Sequence, residues 1–238
     1  VKNNGIETIN SYKVAYKVDN GSPVVSPVIS TPLAPGATTN VTLAAFTTAA
    51  GAHTFTAYTL DPVSLSGSGE QLPANDTITG PFNVLPLVAS ITENFTAVTF
   101  PPTNWVLNNP NANNTWVRNA NGNGNAGSAF IDNYNFNLVG QTDELQLPPV
   151  NTTGASTLVI AFDLAHKNFP GFNDRLQVLY STNCGVTWTA TSFDRSGAAL
   201  ATAGSSTANY TTPAAADWVR QTVGIDLCTV PASQVRVA

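Results

Sequence analysis

Alternation of apolar and polar residues is clearest in the segment 174–188, DRLQVLYSTNCGVTW. Leu176, Val178 and Tyr180 recur at every second position, which is the period of a β-strand with one buried face. The turn residues Asn183-Cys184-Gly185 interrupt the pattern before it resumes. The segment therefore predicts a β-hairpin, and the apolar run TLVIAFDLAHK that precedes it predicts another strand.

The first 86 residues contain short alternating runs: SYKVAYKVD, NVTLAAF and HTFTAYTL. Turn-forming stretches such as NGSP, LAPGATT and SGSGEQLPAND separate them. This cadence predicts an immunoglobulin-like β-sandwich of about seven strands. A boundary is expected at FNVLPLVASITENF, which gives one domain over residues 1–86 and a second over residues 91–238. In the second domain the Asn- and Gly-rich segment 108–127 is too polar to be a strand throughout.

Composition favours an exported all-β protein. Only 10% of the residues are charged, Met is absent, and 17 glycines and 16 prolines disfavour long helices. The 42% hydrophobic fraction is sufficient to build a core. The net charge of −5 argues against a nucleic-acid partner, because phosphate binding needs clustered Lys and Arg. No run of 18 apolar residues occurs, so membrane insertion is not expected.

Two cysteines, Cys184 and Cys228, lack the CxxC spacing of zinc or redox motifs. A structural disulfide between them, formed in an oxidising compartment, is the simpler interpretation, and two free thiols are the alternative.

The second domain resembles the jelly-roll modules of secreted and cell-surface proteins of the Bacteroidetes, which are related to cleaved-adhesin and MAM-like domains and are called choice-of-anchor domains, including choice-of-anchor J. The resemblance rests on an acidic residue before a Leu-x-x-Pro strand start, an "FDLA" strand, and the hairpin motif. In this sequence these are Asp143, Leu145, Leu147, Pro148, Phe162–Ala165, Asp174, Leu176, Val178, Ser181–Gly185 and Trp188. Modules of this kind close with a strand beside the first one, whereas this chain ends at Gln234–Ala238. The jelly roll is therefore expected to be truncated at its C-terminus, through residues that this sequence omits, or else to have its open edge covered by another chain or a ligand.

The first domain resembles the CARDB and fibronectin-III-like spacers of bacterial surface proteins. The matching segments are Asn3–Gly5, Tyr16–Gly21, Leu33–Gly36, Ala50–Thr54 and Asn75–Thr77.

Catalytic motifs are not found in the sequence. His53 and His166 belong to no HExxH or other metal-ligand spacing, and no GxSxG elbow is present. His53 is expected to cap or pack a strand, and His166 to have a structural or rim role. Paired carboxylates remain compatible with the 14 acidic residues, since spacing alone does not exclude them. The chain is predicted not to be an enzyme.

Calcium is the expected cofactor, because the resemblance implies a structural Ca²⁺ and oxygen-rich loops suit that ion. The alternative is that the acids are ordinary edge and turn residues. A second cluster, Asp132–Asn135, either contributes to a ligand site or forms an Asx turn. The calcium ligands implied by position are Glu93, Asn94, Asn121, Asn125, Ser128 and Asp143.

Aromatic residues in loops are candidates for ligand recognition, since exposed rings beside polar groups stack on sugars or peptide side chains. Phe169-Pro170-Gly171-Phe172 is the most conspicuous case, because Pro and Gly force a turn. Packing against the domain is the alternative role. The candidates are Trp116, Tyr134, Phe169 and Phe172, with Trp105 and Phe136 nearby in sequence, while Trp188 and Trp218 are expected in the core.

Asp76-Thr77-Ile78 resembles the Asp-Ser/Thr-aliphatic O-glycosylation site of exported Bacteroidetes proteins, which makes Thr77 a candidate for modification. Together these features predict a non-catalytic fragment of a secreted or cell-surface protein, located outside the cell or on the outer-membrane surface. It would consist of a spacer and an adhesion module that binds a cell-surface glycan or protein. The alternatives are accessory domains of an exported metalloprotease or glycosidase, and cargo of a type IX-like secretion machinery.

Overall fold

The computed structural model describes residues 1–67, 76–125, 127–136, 139–230 and 232–238. Strands and short 3₁₀ turns make up its regular structure, so the predicted all-β class is confirmed. The chain divides into two compact units, Val1–Val84 and Leu85–Ala238. In the part of the chain that is described, no helix has the length and apolar character needed to cross a membrane.

The first unit contains one antiparallel sheet in the order β2-β1-β3-β4. The predicted runs SYKVAYKVD and HTFTAYTL form the two central strands, in which Tyr16 pairs with Ala57. Alternation places one set of side chains on each face, as expected for a strand period of two. The strands are β1 (Ile9–Val18), β2 (Val24–Val25), β3 (Gly51–Ser64) and β4 (Thr77–Val84).

The segment 26–50 differs from the sequence prediction. NVTLAAF is not a strand, and residues 26–38 contribute only single-residue bridges such as Ile29 with Tyr12 and Leu33 with Ile9. Pro27, Pro32 and Pro35 lack a backbone N–H and cannot sustain a continuous ladder. The described part of this unit therefore has four strands in one sheet, where about seven were expected for a sandwich. Asn75 of the predicted motif lies outside the described residues.

An aromatic stack covers one face of this sheet. The Tyr16 ring lies 5.6 Å from Phe55 and 5.7 Å from Phe46, and Phe46 lies 5.9 Å from Phe82. Val14, Ala15 and Tyr16 are consecutive and all buried, so β1 is covered on both faces. The irregular segment that carries Phe46 thus takes part in the core without forming a strand.

The second unit is a two-layer β-sandwich. One layer has the strand order β12-β11-β14-β9 and the other pairs β10 with β13, while β5-β8 and β6-β7 form two small ladders. The predicted strand 157–164 and the predicted hairpin β11–β12 are confirmed. The strands are β5 (Val106–Asn108), β6 (Val117–Asn119), β7 (Ser128–Phe130), β8 (Glu144–Gln146), β9 (Val150–Asn151), β10 (Thr157–Leu164), β11 (Arg175–Ser181), β12 (Thr189–Ser196), β13 (Val219–Asp226) and β14 (Gln234–Val237).

The core of this unit lies between the two layers. Phe162 of β10 meets Phe193 of β12 edge to face, with ring centroids 5.1 Å apart. Trp188 and Trp218 are half-buried and stand outside this buried cluster, contrary to the expectation that they are core residues. The buried members of the cluster are Val178, Phe193, Val223, Ile225, Leu227, Val235 and Val237.

Strand β14 lies inside its sheet. Val237 pairs with Tyr180 of β11, and Val235 pairs with Val150 of β9. Both edges of β14 are hydrogen-bonded, and Val235 and Val237 on its inner face point into the core, so Val235 is fully buried. The expected absence of a closing strand concerns residues beyond Ala238 and stays a prediction.

The predicted disulfide is wrong, because Cys184 and Cys228 are both free and exposed. Cys184 lies in the turn between β11 and β12, where its Sγ is 3.2 Å from Gln234 Nε2. Cys228 follows β13 in the other layer, with its Sγ 3.9 Å from the Ser156 carbonyl oxygen. The two thiols therefore belong to turns of different sheets and have different neighbours.

Candidate functional site

Three of the four predicted ligand-binding aromatics come together in the second unit. The Phe169 ring lies 5.9 Å from Tyr134 and 5.2 Å from Phe172, measured between centroids. Tyr134 is 50% exposed and Phe172 is 46% exposed, while Phe169 is half-buried between them. We call these three rings the aromatic platform.

The topology explains why this site forms at one end of the sandwich. Leu164, the last residue of β10, pairs with Val219, the first residue of β13, and Arg175 at the start of β11 pairs with Ser196 at the end of β12. The connections 165–174 and 197–218 consequently emerge at the same end. Residues 166–174, which we call the platform loop, carry Phe169 and Phe172.

A tight turn fixes the positions of the two aromatic rings in the platform loop. The N–H of Phe172 donates to the carbonyl of Phe169 at 3.1 Å. Gly171 has a φ of 91°, a conformation that favours glycine, so the sequence Pro170-Gly171 fixes the reversal. The Pro-Gly pair that predicted this turn from the sequence therefore forms it in the structure.

Tyr134 lies in a turn that is closed by the side chain of Asp132. Asp132 Oδ1 accepts a hydrogen bond from Asn135 N at 3.1 Å, and Asp132 Oδ2 accepts one from Asn135 Nδ2 at 2.7 Å. Asn114 Nδ2 donates to the Asp132 carbonyl at 3.0 Å and ties the turn to a neighbouring loop. Asp132 therefore closes the turn that carries Tyr134, as expected from the Asx-rich sequence.

Charged groups beside the platform loop are paired internally. Lys167 Nζ lies 4.7 Å above the Tyr210 ring, and the Tyr210 hydroxyl donates to Asp217 at 2.7 Å. Burial raises the pKa of Tyr210, and the Tyr210 hydrogen bond lowers the pKa of Asp217. Tyr210 and Asp217 were not singled out from the sequence, because no local motif encodes a hydrogen bond between these two residues.

Trp116 does not join the aromatic platform, which corrects the prediction. Its ring is half-buried and Nε1 donates to the Asp143 carbonyl at 3.1 Å. An indole N–H that is partly buried needs such an acceptor, and the residue just before β8 supplies it to Trp116. Trp105 likewise packs against Phe95, with centroids 5.9 Å apart.

The predicted calcium ligands are assembled only in part. Glu93 Oε1 accepts from the backbone N–H groups of Asn94 and Phe95, and Gly127 N donates to the Asn94 carbonyl at 3.0 Å. A Cβ at Gly127 would lie 2.2 Å from the Phe95 oxygen, so glycine permits this close approach. The turn also lines a cleft of about 410 Å³. Glu93 and Asn94 thus lie beside the loop that carries Asn121 and Ser128.

Other members of that set have different surroundings. Arg118 donates to the carbonyls of Phe95 at 2.7 Å and Thr96 at 3.3 Å, so a side-chain cation already serves the turn. The Asp143 carbonyl accepts from the Trp116 indole at 3.1 Å. Within the described ranges no three His, Cys, Asp or Glu side chains cluster as metal ligands, and the Asn125 side chain lies outside them. Glu93 and Asn94 thus lie beside Asn121 and Ser128, Asp143 lies beside Trp116, and the calcium site stays a prediction.

Two further predicted residues lie in the first unit. Thr77 is exposed at the start of β4, so an attached glycan would meet no packing barrier, and its modification stays a prediction. His53 is held by two acceptors, with Nδ1 2.7 Å from Asp19 Oδ2 and Nε2 2.9 Å from the Ala49 carbonyl. These two acceptors favour the imidazolium form, which donates from both ring nitrogens, and the Asp19 hydrogen bond raises the pKa of His53.

No protein-family model matches the chain, and no curated protein matches it. A solved structure described as "Structural basis for the promiscuous specificity of the carbohydrate-binding modules from the beta-sandwich super family" aligns with a TM-score of 0.33 and 14% sequence identity. The alignment covers 97% of this chain and 77% of that chain. A likeness this distant carries no argument about a ligand.

Proposed function

We propose that the second unit is a non-catalytic binding module whose aromatic platform recognises a glycan, and that the first unit is a spacer. The observation that supports this is the cluster of Tyr134, Phe169 and Phe172 at a loop-bearing end of the sandwich. Exposed rings are costly unless they are used, because each presents apolar area to water. A sugar ring offers C–H groups to such a surface while its hydroxyls remain solvated.

The ring geometry suggests what kind of glycan fits. The planes of Tyr134 and Phe169 are inclined by 59°, and those of Phe169 and Phe172 by 87°. A flat polysaccharide face needs coplanar rings, whereas inclined rings suit a chain that bends between residues. We therefore favour a soluble oligosaccharide with a turn in its backbone as the ligand.

The location of the protein is part of the same proposal. A low charged fraction, the absence of Met and the spacer-plus-module resemblance support a position outside the cell. Structural calcium remains a proposal as well, reduced to the turn at Glu93 and Asn94, which lies beside Asn121 and Ser128.

A glycan array on the full chain, followed by titration calorimetry of the best binder, tests the assignment. Tyr134→Ala and Phe172→Ala are each expected to weaken binding by about tenfold, since a stacked ring contributes about 1 kcal/mol beyond its buried area. Phe136→Ala is the matched control, because Phe136 is 45% exposed and has no ring contact with the platform. Binding that survives both platform substitutions, or the failure of every glycan to bind, would contradict the proposal.

A further inference from the structure

The two ends of the platform loop face each other through a pair of ionisable residues. His166 follows β10 and Asp174 precedes β11, so the pair brackets the loop that carries Phe169 and Phe172. His166 Nε2 lies 4.0 Å from Asp174 Oδ2, which is too far for a hydrogen bond. The loop is therefore bracketed by two groups that interact as an ion pair only when His166 is protonated.

Hydrogen bonds hold the platform loop against the segment 197–204. His166 N donates to Thr202 Oγ1 at 2.9 Å, and the N–H groups of Thr202 and Ala203 donate to the His166 carbonyl at 2.9 and 3.1 Å. Asn168 N donates to the Gly204 carbonyl at 2.9 Å. The hydrogen bonds of His166 and Asn168 thus hold the part of the loop that leads into Phe169.

The imidazole of His166 is in a poor environment for a charge. Its side chain is 19% exposed, and Nε2 is buried without a hydrogen-bond partner among the described residues. Burial lowers the pKa of His166, and the nearby Asp174 opposes this to a smaller degree.

The other charges around His166 are committed elsewhere. The segment 197–204 contains no charged residue. Arg175 at the start of β11 is paired with Asp194 of β12 at 2.6 Å, and Lys167 lies over Tyr210. Asp174 is consequently the ionisable group that faces the imidazole from the elements packed against it.

We propose that His166 is a pH-sensitive latch for the platform loop: the loop is docked while His166 is neutral, and protonation releases it. As a statement about ligand binding, this rests on the proposed function of the aromatic platform. A group whose pKa is lower in the folded state stabilises that state fully above its unfolded pKa, about 6.5 for histidine. That stabilisation is lost as the pH falls from there through the folded pKa. Acidification therefore undocks the loop and weakens glycan binding.

The test is made on the full chain by NMR and hydrogen exchange. The His166 ring proton is titrated, and amide protection at Asn168, Thr202 and Ala203 is compared at about pH 7.5 and about pH 5, with correction for intrinsic exchange. The expected result is a His166 pKa below that of free histidine and at least a tenfold loss of protection at those amides in acid. The ladder between β10 and β13 serves as the internal reference and keeps its protection.

Substitutions distinguish the latch from other acid effects. His166→Gln removes the titrating group and is expected to abolish the pH response of the loop, whereas the matched control His53→Gln, in the other unit, leaves it intact. Protection that does not change with pH, a His166 pKa at or above 6.5, or an unaltered response in His166→Gln would overturn the proposal. The wild-type titration decides the matter even if His166→Gln folds poorly.

Ligand binding is a separate readout. If no glycan binds at any pH but protection is lost in acid, the proposed function fails and the latch stands. If a glycan binds equally at both pH values while the loop undocks, the coupling between latch and platform is refuted.

Discussion

Truncation of Val235 to alanine probes the internal strand of the sandwich. Val235 is 0% exposed, lies on β14 between two partner strands, and belongs to the buried cluster of the second unit. The substitution removes two methyl groups, worth about 0.8 kcal/mol each on transfer from water. A partly unrelaxed cavity raises the expected loss of unfolding free energy to about 2 kcal/mol.

Val159→Ala is the matched control for this experiment. Val159 is 61% exposed on β10, and the same two methyl groups are lost from a strand position, so differences in β-propensity cancel. The expected change is within about 0.5 kcal/mol, as for other surface substitutions.

Urea unfolding followed by tryptophan fluorescence measures both variants. All four tryptophans, at positions 105, 116, 188 and 218, lie in the second unit, so the signal reports on the sandwich that contains both sites. In a thermal melt the Val235→Ala variant should unfold about 4–8 °C below the wild type, given the size of the unit. Equal stabilities for the two variants would refute the placement of β14 inside its sheet with Val235 facing the core.

Three further predictions concern individual contacts. Gly127→Ala should lower the melting temperature of the second unit, because the new Cβ would lie 2.2 Å from the Phe95 carbonyl oxygen; a melt equal to that of wild type would contradict the close packing of this turn. His53→Gln should remove a pH-dependent part of the stability of the first unit. Since the folded pKa of His53 is raised by Asp19, this stabilisation is complete below about pH 6.5 and is lost as the pH rises through the folded pKa, which hydrogen exchange in β1 and β3 can follow. If calcium binds at Glu93, about 1 mM Ca²⁺ should raise the melting temperature relative to a chelator, and Glu93→Gln should cancel the shift; no shift in the wild type would remove calcium from the proposal.

The strands that were predicted correctly combine a strand-like pattern with a partner strand of similar length. The hairpin around Cys184 has an alternating pattern, residues 157–164 form an apolar run, and each has such a partner. NVTLAAF alternates equally well but follows a proline-rich stretch, so it has no ladder to join. Alternation identifies a chain segment that is able to be a strand, while pairing depends on what the rest of the fold supplies.

The candidate site was predictable where a local turn fixes the side chain. The Pro170-Gly171 turn fixes the positions of Phe169 and Phe172, and the turn closed by Asp132 fixes that of Tyr134. That these turns meet at the same end of the sandwich depends on strand order, which no local pattern contains. Trp116 looked equivalent in sequence, and only the acceptor at Asp143 shows that it is a packing residue.

The disulfide prediction failed for a related reason. Counting cysteines gives their number and spacing, but the distance between Cys184 and Cys228 depends on how two sheets stack. His166 similarly belongs to no sequence motif. The burial of its Nε2 beside Asp174 depends on the tertiary structure and was not predictable from the sequence.

The insertion of β14 between β9 and β11 has a consequence for how the chain folds. Strand β9, which contains Val150, has no neighbour on that side until Val235, far along the chain, pairs with it. Pairings between such distant residues require a large loss of chain entropy before any stabilisation is gained, which makes folding slow. During synthesis, a chain that has emerged only as far as β13 would expose the unfilled gap between β9 and β11. Such an intermediate is prone to associate with other chains, and a chaperone that shields this gap would raise the yield of the native sandwich.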